Sequence, residues 1–179
     1  MSDLLLIARA WNFAAERHTE QRRKGAIEEP YVNHLAEVAE LVAVATDGRD
    51  ANLVGAAVLH DTIEDTNTTR LEIASWFNDD IAALVTEVTD DKTLPKEQRK
   101  QRQIEEAPKK SPRAKIIKLA DKTSNLRSLL RSPPRDWDKR RRLEYLDWAM
   151  DVVAGLRGAS PWLERRFDEA ARNLRVNLI

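Results

Sequence analysis

The stretch VLHDTIEDT, residues 58 to 66, is the most informative part of this sequence. It places His60, Asp61, Glu64 and Asp65 directly after the apolar run VGAAVL, where a buried helix is expected to end. A buried carboxylate is unfavourable unless it is paired, hydrogen-bonded or bound to a metal ion. Three carboxylates and an imidazole at this position therefore indicate a functional site.

Length and composition predict one globular domain over residues 1–179, because the chain suits a single core of ordinary size and no Pro/Gly/Ser-rich stretch marks a boundary. The hydrophobic share of 42% is too high for a disordered chain. The 30 basic and 30 acidic side chains cancel, which argues against a nucleic acid polymer as partner. We therefore expect a small-molecule partner, and the oligomeric state stays open.

The absence of cysteine excludes disulfides and thiolate chemistry and makes the cytoplasm the expected compartment. The opening MSDLLLIARAW has no basic segment before its apolar run, and Arg9 interrupts that run. It therefore predicts a first helix and neither a signal peptide nor a membrane span, so we expect no membrane partner.

The spacing of apolar residues predicts an all-α fold, a helical bundle of roughly eight or more helices. Only five glycines occur, and most apolar residues recur at three or four positions. The predicted apolar face of the first helix, after a Ser2-Asp3 cap, is Leu4, Ala8, Trp11, Ala15 and His18. Three later helix starts are predicted by a first-turn proline at Pro30, a capping box from Thr69 to Glu72, and a cap at Asp79 or Asp80.

The third predicted helix, ANLVGAAVLHDTIE, would carry the acidic residues at its end. If it continues, residues four apart share a face, so His60 lies beneath Glu64 and Asp61 beneath Asp65. Carboxylates are disfavoured near a helix C-terminus by the helix dipole. Their presence there favours a nearby cation.

Two distant polar residues fit the same hypothesis. His34 follows the proline that opens the second helix, and Asp121 lies among apolar neighbours, where a solvated helix face does not explain it. Imidazole together with several carboxylates suits manganese, iron or magnesium, with water retained, better than a closed tetrahedral zinc site. His18 has no partner at metal-ligand spacing, so we interpret it as a packed histidine or one that supports a ligand.

These residues resemble the H…HD…D pattern of the HD-domain metal-dependent phosphohydrolases, an all-helical superfamily. The resemblance is closer still to the hydrolase domain of the RelA/SpoT alarmone enzymes, and in particular to the stand-alone small alarmone hydrolases of the metazoan SpoT homologue type. The segments that carry it are QRRKG at 21–25, PYVNH at 30–34, AAVLHDTIEDT at 56–66, VTDDK at 88–92 and KLADKTSNL at 118–126. Five motifs in order are far more specific than a lone HD doublet.

The resemblance implies a Mn²⁺-dependent enzyme that removes pyrophosphate from the ribose 3′ position of guanosine tetra- or pentaphosphate. The metal ligands that it implies are His34, His60, Asp61 and Asp121. It implies that Glu64 and Asp65 orient and activate the attacking water. It also implies substrate contacts by Arg23, Lys24 and Asn125.

Lys118 and Tyr145 are further candidate substrate contacts, and each allows two interpretations. Lys118 shares the helix face of Asp121, where it either pairs with a carboxylate or binds phosphate. Tyr145 either borders the substrate cleft or is a half-buried aromatic residue. The chain departs from the family at Gly25, where an aspartate is usual, and at Thr123-Ser124, where a bulky pair is usual.

Three functions are compatible with these residues. The first is a manganese-dependent 3′-pyrophosphohydrolase of guanosine alarmones. The second keeps the metal chemistry but acts on an adenosine alarmone or on a ribose phosphate of NADPH. The third is a catalytically silent HD module that binds a nucleotide, and the intact pair Glu64 and Asp65 argues against it.

Overall fold

The computed structural model describes all residues, 1–179. It contains ten α-helices, and a 3₁₀ turn, Ala107–Lys109, connects α7 to α8. The helices are α1 Asp3–Arg17, α2 Val32–Ala45, α3 Ala51–Leu59, α4 Thr62–Asp65, α5 Arg70–Trp76, α6 Asp79–Val88, α7 Lys96–Glu106, α8 Pro112–Arg131, α9 Lys139–Ala154 and α10 Pro161–Leu178. No strand is present beyond an isolated bridge between Arg22 and Pro30, which confirms the all-α prediction.

Helix α8 lies at the centre of the packing, where α10 and α2 cover it, while α1 and α2 pack on α3. Ile117 and Leu119 of α8 are fully buried and belong to one connected apolar core. The residues from 117 to 124 are all buried, so this helix also takes charged side chains into the interior. Those charges need partners, and the partners define the site described below. None of the ten helices is both long enough and apolar enough to cross a bilayer.

The helix starts follow local capping chemistry. Ser2 accepts from the backbone N–H of Leu5, and Thr69 accepts from Glu72, as predicted. The predicted cap of α6 is wrong, because Asn78 accepts from the N–H of Ile81 at 2.9 Å. Helix α2 begins at Val32, two residues after the proline that was expected to open it.

The predicted apolar face of α1 is also wrong in phase. Leu4 is 87% exposed, whereas Leu6, Ala10 and Phe13 are buried. Four consecutive apolar residues open this helix, so its sequence does not define which side faces the core. The C-terminal end of the predicted face is confirmed, because His18 is buried.

The third helix does not continue as predicted. Helix α3 ends at Leu59, a turn contains His60 and Asp61, and α4 begins at Thr62. Glu64 and Asp65 therefore lie in a four-residue helix of their own and not at the C-terminus of a long helix. The dipole of α3 therefore gives no reason to expect a cation beside them. The predicted spacing of Asp61 and Asp65 by one helical turn is confirmed, since the N–H of Asp65 donates to the carbonyl of Asp61 at 2.8 Å.

Candidate metal centre and active site

Four side chains from three parts of the chain form what we call the ligand cluster: His34, His60, Asp61 and Asp121. His34 projects from α2, Asp121 from the middle of α8, and His60 and Asp61 from the turn between α3 and α4. Ligand atoms of His34, His60 and Asp121 lie within 4.8 Å of one another, and all three residues are buried. Oδ2 of Asp61 lies 3.0 Å from Nε2 of His60 and 3.6 Å from Nε2 of His34.

Hydrogen bonds outside the cluster fix which nitrogen of each imidazole faces it. Nδ1 of His60 donates to the carbonyl of Ala57 at 2.8 Å, which leaves its Nε2 directed at the cluster. That buried Nε2 has no hydrogen-bond partner, since Asp61 is close but not aligned for a hydrogen bond. The hydroxyl of Ser124 donates to Glu37 at 2.7 Å, so Nδ1 of His34 donates to Ser124 at 2.9 Å and its Nε2 also faces the cluster.

The electrostatics of the cluster favour an added positive charge. Burial alone lowers the pKa of His60, but the negative charges of Asp61 and Asp121 outweigh burial and raise that pKa to about 9. Burial would raise the pKa of Asp61, yet the neighbouring imidazoles hold it well below its usual value. The cluster therefore attracts a proton in the absence of a metal ion.

The same observations show that a divalent ion fits the donor set. An orphaned, buried Nε2 is unfavourable unless a cation or donor meets it. Two imidazole nitrogens and carboxylate oxygens suit a borderline or hard divalent ion. His34, His60 and Asp121 can hold one metal ion, and the position of Asp61 beside both imidazoles allows a fourth ligand.

Each carboxylate of the cluster is held from outside by a donor. The hydroxyl of Tyr31 donates to Asp61 at 2.5 Å. Lys122 and Asn125 donate to the two oxygens of Asp121 at 2.9 Å and 2.6 Å. Burial, and then the charge of Asp61, raises the pKa of Tyr31 well above its usual value, so this residue stays a donor.

Tyr31 and Lys122 are functional residues that the sequence patterns did not predict. A signal was present for both, because Tyr31 precedes His34 by three positions in PYVNH, and Lys122 directly follows Asp121 in a buried helix. A buried lysine requires a carboxylate partner, and the adjacent aspartate supplies it.

Glu64 and Asp65, which we call the acid pair, lie beside the cluster in different environments. Oε2 of Glu64 accepts only from the backbone N–H of Asp90, at 2.9 Å. Burial, and then the charges of Asp90 and Asp61, raises the pKa of Glu64 to about 7. Both oxygens of Asp65 accept hydrogen bonds, one from Gln21 at 2.7 Å and the other from Lys92.

The structure brings Arg23 to the edge of this site but leaves Lys24 exposed. The guanidinium of Arg23 donates to Ser124 at 3.3 Å and to Asn125 at 3.0 Å. Lys24 is exposed and lies next to it in the loop between α1 and α2. Asn125 thus connects Arg23 with Asp121.

The other two predicted substrate contacts, Lys118 and Tyr145, have different surroundings. The ammonium of Lys118 is buried and donates to the carbonyl of Val88 at 3.0 Å. Tyr145 lies between Trp137 and Trp148, with ring centroids 5.5 Å and 5.2 Å away. Burial raises the pKa of the Tyr145 hydroxyl to about 12, so that it is a hydrogen-bond donor at neutral pH.

Packing accounts for the departure from the family at Gly25. A Cβ at this position would lie 2.5 Å from the hydroxyl oxygen and 2.6 Å from the carbonyl oxygen of Ser132. The loop that follows α1 therefore packs directly on the end of α8, and the N–H of Ile27 donates to the same hydroxyl at 3.0 Å. The glycine keeps the loop with Arg23 close to the site.

A polar cavity of about 390 Å³ adjoins the acid pair through Asp90 and lies between α6 and α7. Its charged lining residues are Glu87, Asp90, Asp91, Glu106, Arg99, Arg102, Lys109 and Lys110. The four acidic and four basic groups cancel, so the cavity offers space without a net attraction for an anion.

Comparison with known proteins identifies relatives of this chain. Residues 10–150 match the model of the HD domain family. The chain is 50% identical to guanosine-3′,5′-bis(diphosphate) 3′-pyrophosphohydrolase MESH1 of Xenopus tropicalis, over 93% of each chain. It is 45% identical to the human protein of the same name, over 97% of this chain and 94% of that one.

Two solved structures resemble the fold. One is described as a metazoan orthologue of SpoT that hydrolyses ppGpp, and it superposes with a TM-score of 0.90 at 43% identity, covering 97% of both chains. The other is a protein of Listeria monocytogenes, with a TM-score of 0.66 at 31% identity, covering 84% of this chain and 96% of that one.

Proposed function

Because the chain belongs to the HD domain family and, within it, to the group of the MESH1 3′-pyrophosphohydrolases, we propose that it hydrolyses guanosine-3′,5′-bis(diphosphate), ppGpp. Water attacks the 3′ phosphorus, the bond from that phosphorus to the ribose 3′ oxygen breaks, and the products are GDP and pyrophosphate. Guanosine pentaphosphate would give GTP by the same reaction.

The observation that carries the proposal is the geometry of the ligand cluster beside a carboxylate that is free to accept a proton. His34, His60 and Asp121 offer convergent ligand atoms from separate helices and a turn. Glu64 lies next to them with one oxygen uncommitted. Phosphoryl transfer depends mainly on positioning and charge stabilisation, so this arrangement needs no covalent nucleophile.

We further propose that Mn²⁺ is the metal ion, with His34, His60, Asp61 and Asp121 as ligands. Manganese accepts both imidazole nitrogen and carboxylate oxygen, whereas magnesium prefers oxygen alone. When bound, such an ion supplies Lewis-acid chemistry, which polarises the phosphoryl group and makes water more acidic.

Within this proposal the two acids have different tasks. Glu64 accepts the proton from the attacking water, because one of its oxygens has no donor and its surroundings raise its pKa, to about 7 in the metal-free chain. A cation in the ligand cluster would lower that pKa. Asp65, with both oxygens occupied by donors, orients the water.

The proposed substrate contacts surround the ligand cluster. Arg23 and Lys24 hold the nucleoside and its phosphates from the loop after α1, and Tyr145 borders the cleft from α9. Asn125 contacts the nucleoside while it holds Asp121. The ammonium of Lys118 donates to Val88 and lies 3.7 Å from Oδ1 of Asp90, and its remaining donors can bind a phosphate.

A product assay with the Mn²⁺-loaded protein tests the function. Guanosine tetraphosphate, its adenosine analogue and NADPH are supplied in separate reactions, and pyrophosphate and orthophosphate are quantified alongside the nucleotide product. We expect GDP and pyrophosphate in equal amounts from guanosine tetraphosphate. His60→Ala serves as the matched control without metal.

Other outcomes would contradict the proposal in distinguishable ways. Release of orthophosphate from NADPH without hydrolysis of guanosine tetraphosphate would show that NADPH is the substrate. The proposed metal chemistry would then still hold. Binding of a nucleotide without any hydrolysis would indicate the silent module. Equal activity with Mg²⁺ and Mn²⁺ would contradict the assignment of manganese but not the proposed reaction.

A further inference from the structure

The buried imidazole of His18 takes no part in the ligand cluster, yet it is connected to the acid pair. His18 follows the last residue of α1, and 1% of its surface is exposed. Its Nδ1 lies 2.5 Å from Oε1 of Gln21. Gln21 in turn donates from Nε2 to Oδ2 of Asp65 at 2.7 Å.

The direction of these hydrogen bonds is fixed by chemistry. An ionised carboxylate only accepts, so the amide NH₂ of Gln21 faces Asp65 and its carbonyl oxygen faces His18. Nδ1 of His18 must therefore carry the proton. Nε2 of His18 lies 3.5 Å from the hydroxyl of Thr62, which belongs to the same four-residue helix as Asp65.

The backbone holds Gln21 in place from both sides. Its N–H donates to the carbonyl of His18 at 3.0 Å, and its carbonyl accepts from the N–H of Tyr31 at 3.0 Å. The ring of His18 stacks on Tyr31, with centroids 5.3 Å apart, and Tyr31 donates to Asp61. The segment from 18 to 31 thus contacts both ends of α4.

We propose that Gln21 is a positioning residue for the proposed reaction: it holds the carboxylate of Asp65 in its working orientation, and His18 fixes the orientation of the Gln21 amide. A helix of four residues has too few internal hydrogen bonds to hold itself. The other donor to Asp65, Lys92, has a side chain that is 48% exposed, so it is the weaker restraint. Gln21, by contrast, is held by the buried imidazole of His18.

Two variants and one control test this role, which rests on the proposed function for its activity readout. Gln21→Met keeps the length of the side chain and removes the donor, and Gln21→Glu keeps the shape but directs a carboxylate at Asp65. The control is Gln101→Met, because Gln101 pairs with Glu105 on the exposed α7. We expect kcat to fall about 10- to 100-fold for both Gln21 variants, with KM and bound metal changed only a few-fold.

A double-mutant cycle separates positioning from a general structural effect. If Gln21 acts through Asp65, Gln21→Met lowers kcat in the wild type but adds nothing to Asp65→Ala, which has no side-chain oxygen for Gln21 to hold. Additive losses in the double variant would overturn the proposal, as would an unchanged kcat in Gln21→Met. If Gln21→Met does not fold, the same cycle is measured with Gln21→Glu.

A readout independent of activity is the tautomer of His18, measured by ¹⁵N NMR of the full chain with diamagnetic Mg²⁺ present. We expect the proton on Nδ1 in the wild type and loss of this preference in Gln21→Met. A proton on Nε2 in the wild type would overturn the proposal whatever the substrate proves to be. If guanosine tetraphosphate is not hydrolysed, the proposed function fails while this measurement still decides the role of Gln21.

Discussion

The ligand cluster and the acid pair both use residues of the segment 60–65, but the fold holds the two groups in different ways. His34 and Asp121 project from α2 and α8, helices of 14 and 20 residues that pack into the core. Glu64 and Asp65 belong to a helix of four residues, and donors from neighbouring loops orient them.

This difference indicates that metal binding and turnover can be separated by mutation. Core packing places the cluster, so the loss of one supporting hydrogen bond weakens metal binding without abolishing it. Polar contacts place the acid pair, so its geometry depends on each of them. The following predictions test this contrast, beginning with the largest effect.

The largest effect is expected from a missing ligand. His60→Ala and Asp61→Ala should lose the divalent ion and turnover together, because a metal site loses affinity when one of its four protein donors is removed. Metal content by elemental analysis and helicity by circular dichroism are the measurements. A full complement of metal in both variants would show that these residues are not ligands.

Next in size is the effect of removing a proton acceptor while the metal stays. Glu64→Gln keeps the size of the side chain but cannot take a proton, so kcat should fall about 10²- to 10⁴-fold at unchanged metal content. Asp65→Asn should lower kcat less, since an amide oxygen still accepts from Gln21. Steady-state kinetics check this order, and loss of metal from either variant would contradict it.

A smaller effect is expected from the support of His34. Ser124→Ala removes the hydroxyl that accepts from Nδ1 of His34 and donates to Glu37. The affinity for the metal should fall about 10- to 100-fold, with kcat at saturating metal almost unchanged. Isothermal titration measures the affinity, with Ser75→Ala on exposed α5 as control. Equal affinities would mean that packing alone orients the imidazole.

Removal of the metal should make stability depend on pH. The pKa of His60 is about 9 in the folded metal-free chain and 6.5 in an ordinary environment, so its protonation stabilises the fold fully below pH 6.5. That stability is lost as the pH rises through 9. Melting temperatures of the chelated protein should therefore fall over this range, while added metal raises them most at the alkaline end. A flat profile would show that the cluster does not attract a proton.

The smallest effect is expected far from both regions. Arg113 joins Asp50 and Asp80 at 2.9 Å and 2.8 Å on a partly exposed surface. Arg113→Ala should lower the free energy of unfolding by about 1 kcal/mol or less and leave kcat unchanged. Urea denaturation and the product assay measure both values. A change in kcat would show that the surface is coupled to the site.

Local patterns predicted much of the fold because they depend on neighbours within a few positions. The sequence predicts the cap at Thr69 correctly from residues three apart, although Glu72 pairs with Arg17 and does not complete the capping box. The face of α1 was not predicted correctly, because the run from Leu4 to Ile7 is apolar on all sides and only contact with α3 selects its buried side. The predicted continuation of α3 was wrong for a similar reason. The helix ends before His60, and the turn that follows directs His60 and Asp61 towards ligands on other helices.

The sequence by itself determined the helical class and the residue types available for chemistry, because periodicity and motif spacing are local properties. It also supplied the family, since five motifs keep their order along the chain. Only the tertiary structure decided that His34, His60 and Asp121 meet, which nitrogen each imidazole presents, and that Gln21 supports Asp65. The physical reason is that these contacts join residues far apart in the chain, and their distances are set by how α2, α3 and α8 pack in the core.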